Sequence, residues 1–376
     1  MRLLWYWPHP LDGAAPVPTL LASSGVDITV QAMASLHGRA LGVDGVGYDL
    51  VRDLPQVGGR GHGAGRTLGA IGRRVLRQIR RDRLMGRLRP DVVHLELIEP
   101  EFDWLTVPLA RRRSGAAVVG IVHDVTARES RLPRALEARL LRTLYGPRHF
   151  DLLVVYHAVL GDQLIDRFDV DPDRIAVLPH PIPEAEQLRR RDADEPFNVL
   201  FLGSIRADKG VDVIDAAIRS RPPRGDLTFT FAGRGATGLE ARIERLAADR
   251  ADVRAAIGFY DDDLKRSLLR SADLIVLPYT TFESQSGVLA DAYAFGVPVV
   301  ASDVGAVGPT VRSDDTGWLV PPGDAAALRA AVELAITETD GYERVRRNVR
   351  VAAERHAPAA IAEQLRSIYE RAATLR

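Results

Sequence analysis

Two stretches of this sequence combine residue types that can hold a phosphate. In Phe201-Leu202-Gly203-Ser204-Ile205-Arg206-Ala207-Asp208-Lys209-Gly210, an apolar run ends at a glycine, a polar loop brings two cations, and a helix can open after the second glycine. Strand-end glycine, loop cations and helix N-terminal amides together favour an anion. The same letters also describe a solvated connection that happens to carry Arg and Lys. Lysine usage bears on the choice: of 50 basic residues only Lys209 and Lys265 are Lys. In a chain that writes Arg by default, a Lys beside a Gly suits a compact ammonium that approaches one phosphate oxygen as a point charge. In the second stretch, Phe282 to Pro298, Glu283 precedes a helix whose first amides, near Ser286, Gly287 and Val288, can also receive a phosphate. Asp291 interrupts the apolar series Val288, Leu289, Ala292, Tyr293, Phe295, and a carboxylate in such company needs a partner. Ribose hydroxyls and a buried Arg are both suitable.

The elements that would position these groups alternate between short apolar runs and amphipathic segments, the pattern of βαβ units and parallel sheets. Strands are expected at Arg2–Trp7, Asp27–Met33, Asp91–Leu97, Ala116–Val122, Asp151–Tyr156 and Ile175–Leu178, then afresh at Asn198–Leu202, Leu227–Ala232, Asp273–Pro278, Val297–Ala301 and Gly317–Val320. The stiff Pro179-His180-Pro181-Ile182-Pro183 and the charged run Arg189–Asp194 mark a boundary. The expected organisation is an N-terminal domain 1–182, a second domain 183–357, and a last helix 358–376 packing back on the first. Two doubly wound, Rossmann-like α/β domains facing a central cleft follow, with ligands beyond the carboxyl ends of the strands.

Composition limits the options. Lys+Arg and Asp+Glu each number 50, so no global field points to nucleic acid. Residues 1–180 are mildly basic, with 24 Arg against 20 acids. With 0 Cys, disulfides, thiol nucleophiles and Cys-ligated metals are excluded, and a reducing compartment fits. The opening Leu3-Leu4-Trp5-Tyr6-Trp7 reads as a buried strand rather than a leader, and no apolar run reaches the ~18 residues of a spanning helix. Asp261-Asp262-Asp263 sits before a helix and reads as an N-cap cluster, so no essential metal is expected. Ala232-Gly233-Arg234-Gly235-Ala236-Thr237-Gly238 matches GxGxxG but lacks the acid about twenty residues on that a dinucleotide site wants, so a tight turn is preferred. Residues 66–89 form an Arg-rich helix with Leu68, Ile71, Val75 and Ile79 at helical spacing. Packing on the sheet is the preferred reading; contact with anionic lipid or an acidic acceptor is the alternative.

In order and spacing, several of these pieces resemble the donor domain of retaining glycosyltransferases of family GT4, which have the GT-B fold. The matching residues are Gly203 to Lys209-Gly210 (the Gly-x-Ile-Arg-x-x-Lys-Gly form), Glu283 with seven residues to Asp291-Ala292, Gly296-Val297-Pro298-Val299, Ala301-Ser302-Asp303-Val304-Gly305 and Thr316 to Asp324. The resemblance is strong over 196–335 and weaker, but continuous, before it. It implies that Lys209 and Arg206 neutralise the donor diphosphate, with Ser204 standing where the family has Arg. It implies further that Glu283 orients the transferred sugar, that Asp291 holds the ribose, and that the segment holding Phe259 contacts the base. In the first half it implies a Gly-rich loop at Gly13 facing the diphosphate and a strand-end His123 near the sugar. Strand alternation puts His94 and Glu96 on one face, and with Glu99 they could line the acceptor side; a structural role is preferred for them.

The function implied is metal-independent transfer of a hexose-type sugar from a nucleoside diphosphate sugar, UDP- or GDP-linked, to an acceptor hydroxyl on a glycan, glycolipid or small-molecule glycoside, with retention. The nucleotide sugar is a substrate, so no cofactor is expected. The expected setting is cytoplasmic, with peripheral contact at the inner membrane face through the 66–89 helix as an option. A GT-B epimerase or phosphorylase, and a non-catalytic nucleotide-sugar binding module, are the alternatives.

Overall fold

The computed structural model describes residues 1–10, 16–33, 46–51, 64–125, 134–183, 185–186, 195–281 and 285–376. They form two compact units, Met1–Leu178 with Pro358–Arg376, and Pro179–Ala357.

The first unit holds β1 (Arg2–Pro10), α1 (Pro16–Ser23), β2 (Asp27–Met33), β3 (Val46–Val51), α2 (Ala64–Leu88), β4 (Val92–Leu95), α3 (Pro100–Ser114), β5 (Ala117–Val122), α4 (Arg134–Leu144), β6 (Leu152–Val155), α5 (Ala158–Phe168) and β7 (Ile175–Val177). Its seven parallel strands run in the order β3-β2-β1-β4-β5-β6-β7. Strands β4, β5 and β6 are buried along their whole length, as expected when helices cover both faces of a parallel sheet. One face packs Leu3, Trp5, Val119 and Val154 against Leu21 of α1 and against Ile361, Leu365 and Tyr369 of the last helix, α13 (Pro358–Thr374).

The second unit starts the pattern again with β8 (Phe197–Leu202), α6 (Val211–Arg219), β9 (Leu227–Gly233), α7 (Thr237–Asp249), β10 (Val253–Ile257), α8 (Asp262–Ser271), β11 (Leu274–Leu277), α9 (Gly287–Ala294), β12 (Val299–Ser302), α10 (Val307–Asp314), β13 (Gly317–Val320), α11 (Ala325–Thr337) and α12 (Thr339–His356). The sheet order is β10-β9-β8-β11-β12-β13. Alternate residues of β8 feed two cores: Leu200 and Leu202 pack with Leu289, Tyr293 and Val349, whereas Val199 and Phe201 pack with Ile214, Leu246 and Leu328. Burying each such side chain contributes about 1.5–3 kcal/mol.

Both sheets therefore share the doubly wound order in which chain direction across the sheet reverses once, between β1 and β4 and between β8 and β11. That reversal opens a crevice at the carboxyl ends of the two strands. The two strands that the apolar runs do not announce, β3 and β10, each lie at the sheet edge beside the second strand of their unit. Strand β10 is buried only at Val253, so its sequence carries little of the apolar signal of an interior strand.

The helix at 66–89 packs against α3 and β1, and the side chains of Leu68 and Ile71 lie outside the described residues. Gln78, Arg81, Leu84 and Met85 are buried, whereas Val75, Leu76 and Ile79 are exposed. Arg81 is fully buried, donates to Asp103 Oδ1 at 2.7 Å and to Thr106 Oγ1 at 2.9 Å, and stacks 5.3 Å from the Tyr6 ring. Among the described side chains, the buried face of α2 thus mixes Gln78 and the charge-paired Arg81 with Leu84 and Met85.

Candidate functional site

In the second unit the chemistry gathers at the reversal between β8 and β11. The β8 run ends at Gly203, whose φ of +124° turns the chain, and the pairing with the β9 side continues beyond it through an Ile205–Gly235 bridge. A Cβ on Gly233 would lie 1.8 Å from Gly203 O, and one on Gly235 would lie 1.9 Å from Ile205 O. Only glycine lets these two loops lie against each other. The third glycine of the GxGxxG match behaves otherwise: a Cβ on Gly238 meets nothing within 4 Å. The close helix–strand packing that a dinucleotide fingerprint uses its last glycine for is therefore absent at that position.

After a short 3-10 turn, Ala207–Lys209, the chain reaches Gly210 at φ +72°, where a Cβ would fall 1.8 Å from Pro278 O. The loop after β8 is thus pressed onto the loop after β11, and Thr280 N donates to Asp208 O at 3.0 Å to hold it there. Lys209 consequently stands with Nζ 3.7 Å from the centroid of the Tyr279 ring. The Tyr279 hydroxyl is 2.8 Å from Ser286 Oγ, and Ser286 caps α9 by accepting from Leu289 N. Ammonium, aromatic ring, hydroxyl and helix N-terminus form one continuous strip, with Gly287 exposed and Val288 half-buried at the start of α9. Cation, capped helix end and close backbone favour a phosphate. Ser204 is exposed. Arg206 is half-exposed and engaged in a bidentate pair with Asp208 at 3.0 and 2.7 Å. An exposed pair of this kind contributes about 0–1 kcal/mol.

Asp291 is buried on α9, and its partner is Lys265 of α8, with Nζ 2.8 Å from Oδ1. The pairing with a buried Arg considered from sequence is therefore made instead by a half-buried lysine. Burial pushes the Asp291 carboxyl above the usual range, and Lys265 offsets this only in part. Phe259, following β10, is 82% exposed, with the Arg234 guanidinium 5.7 Å from its ring centroid. Asp261 caps α8 by accepting from Leu264 N, the role its position before the helix predicts.

In the first unit the strand-end histidines converge on one carboxylate. Glu96, just beyond β4, is 2.9 Å from His94 Nε2, 3.0 Å from the Tyr156 hydroxyl and 3.4 Å from His123 Nε2. His94 Nδ1 lies 2.7 Å from the Tyr369 hydroxyl on α13, and the His94 ring packs 4.2 Å from Trp5. His123 also places Nε2 2.8 Å from Glu96 O. Burial alone would raise the Glu96 carboxyl, but the hydrogen bonds from His123 and His94 outweigh it and hold the group well below its ordinary value. Glu99, for which a structural role is the preferred reading, is buried against α2, accepting from Gln78 Nε2 at 2.8 Å and from the Tyr6 hydroxyl at 3.4 Å. Gly13 and Glu283 lie outside the described residues. The participants that motif spacing does not reveal are Tyr279, Lys265, Tyr156 and Tyr369, each contributed by a different element.

Among known proteins, the family profile described as "Glycosyltransferase Family 4" matches residues 19–186 and that described as "Glycosyl transferases group 1" matches residues 196–338, so the two together span most of the chain. A glycogen synthase of Mycobacterium tuberculosis is 30% identical over 279 residues, 70% of this chain and 64% of that protein. A D-inositol 3-phosphate glycosyltransferase of Salinispora tropica is 30% identical over 286 residues, 64% of this chain and 58% of its own. The chain thus spans less than two thirds of the length of either relative. The structure of Anabaena Alr3699/HepE in complex with UDP superposes with a TM-score of 0.73 at 16% identity, covering 98% of this chain and 99% of that one, a likeness of fold.

Proposed function

We infer, for a chain that belongs to the group 1 and family 4 glycosyltransferases of GT-B fold, that it moves a hexose-type sugar from a nucleoside diphosphate sugar to an acceptor hydroxyl with retention at the anomeric carbon. The observation that carries this reading is the Lys209–Tyr279–Ser286 strip at the β8–β11 reversal, which offers a cation and a capped helix end to a diphosphate. As the glycosidic bond breaks, charge accumulates on the leaving diphosphate. Lys209, Arg206 once released from Asp208, and the first amides of α6 and α9 are the groups that stabilise it, an interaction stronger in the transition state than in the ground state. Asp291 accepts from the ribose through the carboxylate oxygen turned away from Lys265, and exposed Phe259 offers the base a stacking surface. The acceptor attacks from the face the diphosphate leaves, and the leaving phosphate takes its proton. Because the HepE structure holds UDP, UDP-sugars are the first donors to try.

A thermal-shift panel of UDP-, GDP-, dTDP- and ADP-sugars tests the donor, since a bound ligand raises apparent stability by RT ln(1 + [L]/Kd). Product NMR then reads the anomeric configuration; an inverted anomer sinks the retaining mechanism, and no shift with any of the four sinks the donor site. We extend the reading to a peripheral membrane contact. The exposed Val75, Leu76 and Ile79 of α2, alongside exposed Arg80 and Arg83, suit an anionic lipid surface.

A further inference from the structure

The transfer chemistry above leaves a buried and densely partnered carboxylate, Glu96, without a task. Its oxygens receive His94 Nε2 at 2.9 Å, the Tyr156 hydroxyl at 3.0 Å and His123 Nε2 at 3.4 Å, and its carbonyl receives the same His123 nitrogen at 2.8 Å. These contacts fix proton positions. A nitrogen facing both a carbonyl and a carboxylate must carry hydrogen, so neutral His123 is the Nε2–H tautomer and its Nδ1 is the nitrogen left for a ligand. The ring is also held by edge contact with Tyr156, 5.3 Å between centroids, the same residue that donates to Glu96. On the far side, the Tyr369 hydroxyl donates to His94 Nδ1 at 2.7 Å, which leaves His94 Nε2–H for Glu96. The result is a relay from the C-terminal helix to a strand-end imidazole whose side chain is 38% exposed.

We propose that Glu96 is a positioning residue which locks the His123 ring with Nε2–H turned inward and Nδ1 turned toward a ligand oxygen, and that Tyr369, acting through His94, holds Glu96 in place. The electrostatics agree. Burial would lower the His123 pKa, but the hydrogen bond and charge of Glu96, with a smaller contribution from Asp124, raise it above the ordinary value. The upward shift widens the pH range over which Nδ1 is a charged donor, the form suited to a sugar hydroxyl or phosphate oxygen. The groups facing this pair from the packed elements are His94 on β4, Asp124 after β5, Tyr156 after β6 and Tyr369 on α13.

Only the identity of the ligand oxygen rests on the transferase reading; the state of the ring is measurable without any donor. In protein labelled with 15N-histidine, long-range 1H–15N spectra, assigned with His123→Asn, report tautomer and titration midpoint. The wild type should show the Nε2–H tautomer titrating above about 6.5. Glu96→Gln should move the midpoint down by about one pH unit, and Tyr156→Phe should move it up by a few tenths, because the carboxylate then loses a competing donor. The opposite signs separate positioning from general loosening, and Tyr156→Phe keeps the test open should Glu96→Gln fail to fold. An Nδ1–H tautomer in the wild type, or a midpoint unmoved by both variants, overturns the proposal. Donor turnover by Glu96→Gln should fall about 10–100-fold with its pH profile displaced the same way; turnover lost with an unmoved profile and midpoint also overturns it. A wild type that transfers nothing, yet shows the tautomer and both shifts, sinks the transferase reading and leaves the positioning role standing.

Discussion

Lys265 Nζ lies 2.8 Å from Asp291 Oδ1 and Lys209 Nζ lies 3.7 Å from the Tyr279 ring centroid, so both lysines of the chain are held by residues of the β11–α9 region. The proposed donor site would have one at the diphosphate and one behind the carboxylate assigned to the ribose. Asp291 pays a desolvation cost that Lys265 relieves only in part. Removing the lysine leaves a buried carboxylate alone, whereas removing both charges leaves nothing to solvate. Lys265→Met should therefore destabilise the protein by about 1–3 kcal/mol, and Lys265→Met/Asp291→Asn should recover most of that loss. Chemical denaturation of the four proteins in the cycle measures the coupling. The double variant should still bind UDP about tenfold more weakly than wild type, since the ribose acceptor is gone.

Lys209 and Arg206 separate by what each already holds. Lys209→Ala should lower transfer by on the order of 10²–10³-fold, while loss of its contact with the Tyr279 ring costs about 0.5–2 kcal/mol of stability. Asp208 engages Arg206 Nε and Nη2 and so competes with the proposed phosphate; Arg206→Ala should cost about tenfold and Asp208→Asn should tighten UDP binding a few-fold. Calorimetric titration with UDP reads both; equal affinity of Arg206→Ala and wild type would remove Arg206 from the diphosphate site and leave Lys209 alone there.

The glycines of the GxGxxG match should answer differently to the same change. Gly233→Ala pushes a methyl into Gly203 O from a φ of +148°, and a loss of about 2–4 kcal/mol is expected. Gly238→Ala, in the first turn of α7 with open space around it, should stabilise by about 0.4–1 kcal/mol. A destabilised Gly238→Ala protein would restore the dinucleotide reading of this loop.

The parallel architecture was legible because interior strands are continuous apolar runs, as in β5 and β11. Edge strands β3 and β10 and the helix α3 were not, since β10 is largely exposed and α3 carries Pro108 inside it with only a weak amphipathic pattern. At the site, Gly203, Lys209 and Ser286 could be read from one chain segment each. Tyr279, Lys265 and Tyr369 could not, because their roles come from the packing of elements distant in sequence, and a Tyr after a strand looks the same whether or not it meets a lysine. The inward face of α2 was not legible for a related reason. Periodicity marks an apolar stripe, of which Val75 and Ile79 are exposed beside Leu76, whereas Arg81 and Gln78 meet the polar surface offered by Asp103, Thr106 and Glu99.

That exposed stripe is testable on its own. The protein should co-sediment with vesicles containing phosphatidylserine and release as salt rises, because the Arg contribution is screened. Leu76→Glu/Ile79→Glu should abolish sedimentation while changing stability by less than about 0.5 kcal/mol at each surface position. Unchanged sedimentation of that variant would place any lipid contact elsewhere.

The Glu96–His123 pair also predicts how stability depends on pH. Glu96 has its folded pKa lowered, so its contribution is complete above its ordinary value of 4.5 and is lost as pH falls through the lowered one. His123 has its folded pKa raised, so its contribution is complete below its ordinary value of 6.5 and is lost as pH rises through the raised one. Both are fully present only between these two ordinary values. The difference in Tm between wild type and Glu96→Gln should therefore be greatest in that window and should shrink on both sides of it. Scanning calorimetry of the two proteins across the acid and neutral range tests this; a difference that keeps growing as pH rises past neutrality would show that the interaction does not depend on a protonated His123.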